Sequence, residues 1–162
     1  MRKFHSAVIV GVVSLVVAGG IALRAAETKK ASVKWQTDLH KAHEVSLETN
    51  KPMLLVFGAE WCHFCKKLEQ TTLTNAELVK YINANFVAVH IDADEQEKVA
   101  EILEVKGLPC TIVLSPEADL LGRITGFKKP SDFYDELAKA RKLFEPAVQT
   151  ASKTRHEEAA IR

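Results

Sequence analysis

Cys62 and Cys65 are the residues whose types and spacing point most directly to chemistry. Thiols three residues apart on a helix face the same way, with about 5–6 Å between Cβ atoms, and a small adjustment in the first turn brings the sulfurs into bonding range. Free backbone N–H groups and the dipole at a helix start favour an anion, so the first thiol ionises readily. A thiolate is the attacking species in disulfide exchange, and a second cysteine three residues on releases the mixed disulfide. The same side chains also suit a thiolate metal site. Structural zinc usually takes four ligands, and the candidates here are Cys62, Cys65, Cys110 and His63. A module handling a soft ion such as Cu(I) on the three thiols is the rival chemistry. A non-catalytic adaptor with inert cysteines is the third reading.

The flanking sequence supplies elements able to hold the pair. Met53-Leu54-Leu55-Val56-Phe57 is a continuous apolar run of strand length, as expected of a buried central strand, and the cysteine segment follows it into a helix. Upstream, residues 35–48 read as a helix with Leu39, Ala42 and Leu47 on its apolar face, ending near Asn50. Thr74-Asn75-Ala76-Glu77 reads as a capping box opening a helix whose face is Leu78, Val79 and Ile82. Residues 86–91 form a strand, and Val99, Ile102 and Leu103 line a helix closed by Gly107. Strands at 111–114 and 120–127 flank a turn at Ser115-Pro116-Glu117. A last helix opens at Pro130-Ser131, with Phe133, Leu137, Ala140 and Phe144 inward, and stops at Pro146. This order predicts one three-layer α/β domain over residues 33–145, followed by a polar tail, 146–162, that is loose or a frayed helical extension.

The whole chain of 162 residues is 47% hydrophobic and 27% charged, which excludes wholesale disorder. Its net charge of +1 provides no field to attract nucleic acid. Three cysteines are too few for a disulfide-stapled scaffold. Arg2 and Lys3 precede an apolar stretch, 7–23, interrupted only by Ser14 among polar residues. Residues 1–26 are therefore expected to be a signal peptide or an N-terminal membrane anchor, joined by a linker at 27–32. Gly20 and Ala22 suit cleavage after Ala22, while the length lies at the lower edge of the ~20 residues that span a bilayer. Either outcome exports the domain, with periplasm the expected compartment and membrane contact only through an uncleaved leader. Without Arg2 and Lys3 the net charge falls by two, from +1 to −1.

Phe57-Gly58-Ala59-Glu60-Trp61-Cys62-His63-Phe64-Cys65-Lys66 resembles the active-site segment of thioredoxin-like proteins. Val105-Lys106-Gly107-Leu108-Pro109 resembles the loop whose proline is cis in that fold. The resemblance spans about residues 35–144 and implies an α/β thioredoxin-like fold, a central mixed β-sheet flanked by helices. It implies a thiol:disulfide oxidoreductase in which Cys62 and Cys65 form the redox-active disulfide and Leu108 and Pro109 dock the substrate backbone. No cofactor is implied. The partners are protein thiols and disulfides, plus a membrane or soluble protein that recharges the pair. Within the superfamily the chain is similar to exported domains such as the C-terminal domain of the bacterial transmembrane thiol:disulfide interchange protein. Cys65-Lys66-Lys67-Leu68-Glu69 and Arg123-Ile124-Thr125-Gly126-Phe127 carry that likeness. There Glu69 matches a glutamate that tunes the cysteine pKa, and it lies one turn beyond Cys65.

The chain departs from the thioredoxin pattern in three features. Val56 stands where many thioredoxins bury an aspartate as proton relay, leaving Glu69, Glu60 or water for that task. His63-Phe64 replaces Gly-Pro between the cysteines; a protonated His63 near the thiolate would make the disulfide more oxidising, unless it points to solvent. Cys110 follows Pro109 where threonine is common, so the resemblance places a third thiol beside the pair, either packed as a small hydrophobe or as a redox or metal ligand. Trp61 is expected to shield Cys62. His5, His40, His43, His90 and His156 show no metal pattern and read as surface or packing residues.

Overall fold

The computed structural model describes residues 32–160, so the leader expected at 1–26 and nearly all of the 27–32 linker lie outside the described residues. Five strands form one mixed sheet in the order β1-β3-β2-β4-β5. They are β1 (Trp35–Gln36), β2 (Met53–Gly58), β3 (Val87–Asp92), β4 (Cys110–Leu114) and β5 (Leu120–Thr125). β2 and β3 are parallel, β4 runs antiparallel to β2, and β5 antiparallel to β4. Around the sheet lie α1 (Leu39–Thr49), α2 (His63–Lys67), α3 (Ala76–Asn85), α4 (Glu97–Ile102) and α5 (Pro130–Ala160).

Alternation along the strands divides the core in two. On one face Leu54, Val56, Ala88, Val113 and Ile124 meet Leu78, Val79 and Ile82 of α3 and Phe133, Leu137 and Ala140 of α5. On the other, Met53, Leu55, Phe57, Val89, Ile91, Cys110 and Ile112 meet Ala42 of α1, with Val99 of α4 packed against them. All six residues of β2 are buried, as the uninterrupted apolar run predicts for a strand covered on both sides.

Several local expectations are corrected. Trp35 does not begin a helix; it starts the short β1, paired with β3, and α1 begins at Leu39 behind Asp38, whose carboxylate accepts from the Lys41 N–H. Ser46, two turns after Leu39, is fully buried, while Leu47 is 53% exposed. The serine is tolerated there because its hydroxyl donates to the Lys51 carbonyl at 2.6 Å. In the last helical face of the sheet's second side, Ile102 is exposed and α4 ends before Glu104, which takes the left-handed conformation at φ 52°, so Gly107 is not its cap. Pro146 does not stop α5, which continues to Ala160. A proline removes one backbone donor, and the Ala, Gln, Lys, Glu and Arg residues beyond it favour helix strongly enough to resume.

The capping box is replaced by a different cap. Asn75 Oδ1 accepts from the Leu78 N–H at 3.0 Å, while the Thr74 hydroxyl donates backwards to the Gln70 carbonyl at 2.8 Å. Thr74 is committed to the wide helical turn at Leu68–Thr72, closed by a hydrogen bond from Leu73 N–H to the Leu68 carbonyl. Asn75→Ala should therefore cost about 1 kcal/mol of stability, and Thr74→Ala about 0.5 kcal/mol or less. Urea unfolding midpoints at unchanged slope check the order, and a larger loss at Thr74 would contradict it.

Candidate active site

The chain leaves the sheet at Gly58 and turns directly into α2. Cys62 is the residue before the helix, and its N–H donates to the Ala59 carbonyl at 3.0 Å. Cys62 and Cys65 are joined by a disulfide with their Cα atoms 5.3 Å apart, and both residues are buried. The Cys65 N–H donates to Cys62 Sγ at 3.1 Å. On reduction the same donor faces the sulfur that would carry negative charge, and a hydrogen bond to the charged form favours it. Ala59 and the disulfide form a small apolar cluster, and Leu108 packs against it.

The loop carrying Leu108 has the geometry implied by the resemblance. The Leu108–Pro109 peptide is cis, and Pro109 is buried. Its carbonyl accepts from the Gly126 N–H at 2.8 Å, tying the loop to the end of β5. Gly126 sits at φ 74°, where any larger residue is strained.

Trp61, beside Cys62, is 71% exposed. Its indole N–H donates to Asp94 Oδ2 at 2.8 Å. Asp94 is itself placed by Asp92 at the end of β3, whose Oδ1 accepts from the Asp94 N–H at 2.9 Å. Trp61 and the half-exposed Phe64 thus make an apolar rim beside the buried sulfurs. His63 is exposed, its ring edge-on to Phe64 with centroids 5.6 Å apart. Glu60 is exposed as well.

Glu69 reaches a partner that sequence reasoning passed over. Its Oε1 lies 2.9 Å from His90 Nε2, each side chain partly open to solvent. His90 was expected to be a surface or packing residue; it shares the Cys65 side of the sheet because it is paired with Val56 in the parallel register of β2 and β3. Spacing along the chain carries no signal for this contact, since the partners are 21 residues apart.

Cys110 is not beside the pair. It lies opposite Phe57 in the β2–β4 register and packs with Phe57, Leu55 and Ile112 on the other face of the sheet. Among the described residues no group of three His, Cys, Asp or Glu side chains is arranged to hold a metal, so the three-thiol copper site is not formed. Its nearest polar partner is Arg123, Nη1 lying 3.9 Å from Sγ. The same guanidinium donates from Nη2 to the Leu103 carbonyl at 2.8 Å, closing the end of α4. Burial pushes the Cys110 thiol up, and Arg123 opposes this to a smaller extent.

The sequence profile of the thioredoxin-like domain matches residues 39–141. The chain belongs to that family. It is 29% identical over 118 residues to the thioredoxin-related protein DsbJ of Chlamydia pneumoniae, covering 65% of this chain and 34% of the relative. The chain spans about a third or less of the length of the first curated relatives it matches. Among solved structures, a DsbH oxidoreductase superposes with a TM-score of 0.61 at 21% identity, covering 78% of this chain and 96% of the other. The oxidised C-terminal domain of DsbD from Neisseria meningitidis gives 0.57 at 22% identity, covering 65% and 98%. At these identities the likeness carries the fold. The mixed five-stranded sheet is that of the thioredoxin-like fold expected from the motifs.

With the disulfide closed, Cys110 is the chain's single thiol. Because its folded-state pKa is raised, the stability it contributes is complete below the ordinary value of 9.0 and is lost as pH climbs through the folded value. Above pH 9.0 the oxidised protein should therefore lose stability faster than its Cys110→Ala variant. Denaturant midpoints of the two proteins across the alkaline range test this; parallel curves would contradict it.

Proposed function

We propose that the protein is an exported thiol:disulfide oxidoreductase acting on protein thiols and disulfides. The observation that carries the reading is the Cys62–Cys65 disulfide at the start of α2, with the Cys65 N–H directed at Cys62 Sγ and Leu108 packed against it. In the reducing direction Cys62 attacks a client disulfide, and Cys65 then displaces the client from the mixed disulfide. The exposed rim of Trp61 and Phe64 suits an extended polypeptide, and the Leu108–Pro109 backbone aligns it beside the sulfurs. Trp61 is held in that rim by Asp94.

Export rests on the sequence of residues 1–26, a basic start followed by an apolar stretch. An exported domain meets clients in compartments where structural disulfides persist. The Cys62–Cys65 potential measured against glutathione sets the direction: about −270 mV marks a reductant and about −120 mV an oxidant.

Cys62→Ser should reduce insulin disulfides no faster than the buffer with reductant alone. Cys65→Ser should retain the first attack and accumulate clients as mixed disulfides, visible on non-reducing gels and released by reductant. Full turnover by Cys62→Ser would end this assignment.

A further inference from the structure

We propose that Arg123 is a positioning residue for client docking: it braces the loop that carries Leu108 and Pro109, and so sets how tightly a polypeptide disulfide is held beside Cys62. This deepens the exchange reaction proposed above and rests on it.

The loop joins α4 to β4, and its ends are held in different ways. α4 finishes on Glu104 in the left-handed conformation, with the Glu104 N–H donating to the Glu101 carbonyl at 2.9 Å and the Val105 N–H to the Ala100 carbonyl at 2.8 Å. This ending satisfies two carbonyls of the last turn and leaves those that follow open. Arg123 takes two of them. Its Nη2 donates to the Leu103 carbonyl at 2.8 Å and its Nη1 to the Glu104 carbonyl at 3.3 Å. At the far end the Pro109 carbonyl accepts from the Gly126 N–H at 2.8 Å. Between these ties, among the described residues, Lys106, Gly107 and Leu108 make no backbone–backbone hydrogen bond. One stretch of chain, Arg123 in β5 and Gly126 just after it, therefore holds the loop at both ends.

Sheet register puts the guanidinium in place. Arg123 pairs with Ile112 across β4 and β5, so its side chain leaves the sheet on the face where Ile112 and Cys110 meet α4. It passes Cys110, with Nη1 3.9 Å from Sγ, to reach the end of the helix. Arg123 also lines a cavity of about 350 Å³ together with Glu104, Lys106, Gly107, Cys110 and Thr125. One flank of the loop thus faces open space, and across an unfilled gap packing contributes little. The guanidinium is what spans from strand to helix there. Leu108, inside the same loop, packs against the disulfide cluster. A loop released at its entry must be ordered again each time a client binds, and that cost falls on affinity. A polypeptide aligned on the Leu108–Pro109 backbone meets this cost, whereas a small disulfide that touches only the sulfurs does not.

Two disulfides of different size separate docking from chemistry. One assay is steady-state reduction of insulin, with dithiothreitol recharging the pair. The other is the single-turnover reaction of the reduced protein with dithiodipyridine, an uncharged small disulfide. Arg123→Met keeps an unbranched stem and removes both donors. It should raise KM for insulin about fivefold or more while kcat stays near that of the parent, the pattern of lost binding. The same variant should react with dithiodipyridine at the parent's rate. Arg123→Lys keeps the charge but not the planar fork, and should show the same split to a smaller extent. A folded Arg123→Met protein with the parent's KM overturns the inference. Equal slowing toward insulin and dithiodipyridine also overturns it, because it marks a change at the sulfurs themselves. Where Arg123→Met does not fold, the parent's KM in Arg123→Lys overturns it. Each of these results leaves disulfide exchange standing, whereas a parent protein that does not accelerate insulin reduction overturns the exchange reading itself.

Discussion

A strand buried on both faces cannot slip by one residue without driving its side chains into the wrong half of the core. β2 is such a strand, with β3 on one side, β4 on the other and all six residues buried. Its C-terminal end is consequently among the best-determined points of the molecule, and the redox pair begins four residues beyond it. The pairing partners of the same strand bring the remaining parts to that end. β3 delivers His90 and Asp92 alongside Val56 and Gly58, and β4 delivers Cys110 opposite Phe57, directly after Pro109.

The two faces of the sheet then receive different chemistry. Gly58 faces Cys65 and His90, the latter held by Glu69, on one side, whereas Phe57, one residue earlier, shares the other with Cys110 and Arg123. A third thiol close in sequence to the proline loop is thereby kept apart from the reactive pair by the thickness of the sheet. Simple alternation along a strand, a period of two residues, separates them.

The parts of this arrangement legible in the sequence were those with a local signature. The apolar run of β2, the cysteine spacing and the proline loop each occupy a few consecutive residues, and each lies where expected. Features that depend on a distant partner were not legible. β1 has two residues and exists because β3 offers it an edge. Ser46 took the inward place that Leu47 was expected to hold, because a carbonyl at Lys51 satisfied its hydroxyl. The wide turn at Leu68–Thr72 drew Thr74 away from its cap and aimed Glu69 at His90. Alternation between Val87 and Ile91 would place His90 on the sheet face shared with Val56, but only the strand order identifies what stands there.

The tie between Trp61 and Asp94 has a consequence in optics. The chain has two tryptophans, and both border the site: Trp61 immediately precedes Cys62, and Trp35 stands edge-on to His90. Disulfides and imidazolium ions both quench indole emission by accepting an excited electron. Trp61 is thus an intrinsic reporter of whether the sulfurs are joined, and Trp35 of whether the histidine is charged. The protein carries two separate fluorescent read-outs, one next to its disulfide and one against an imidazole.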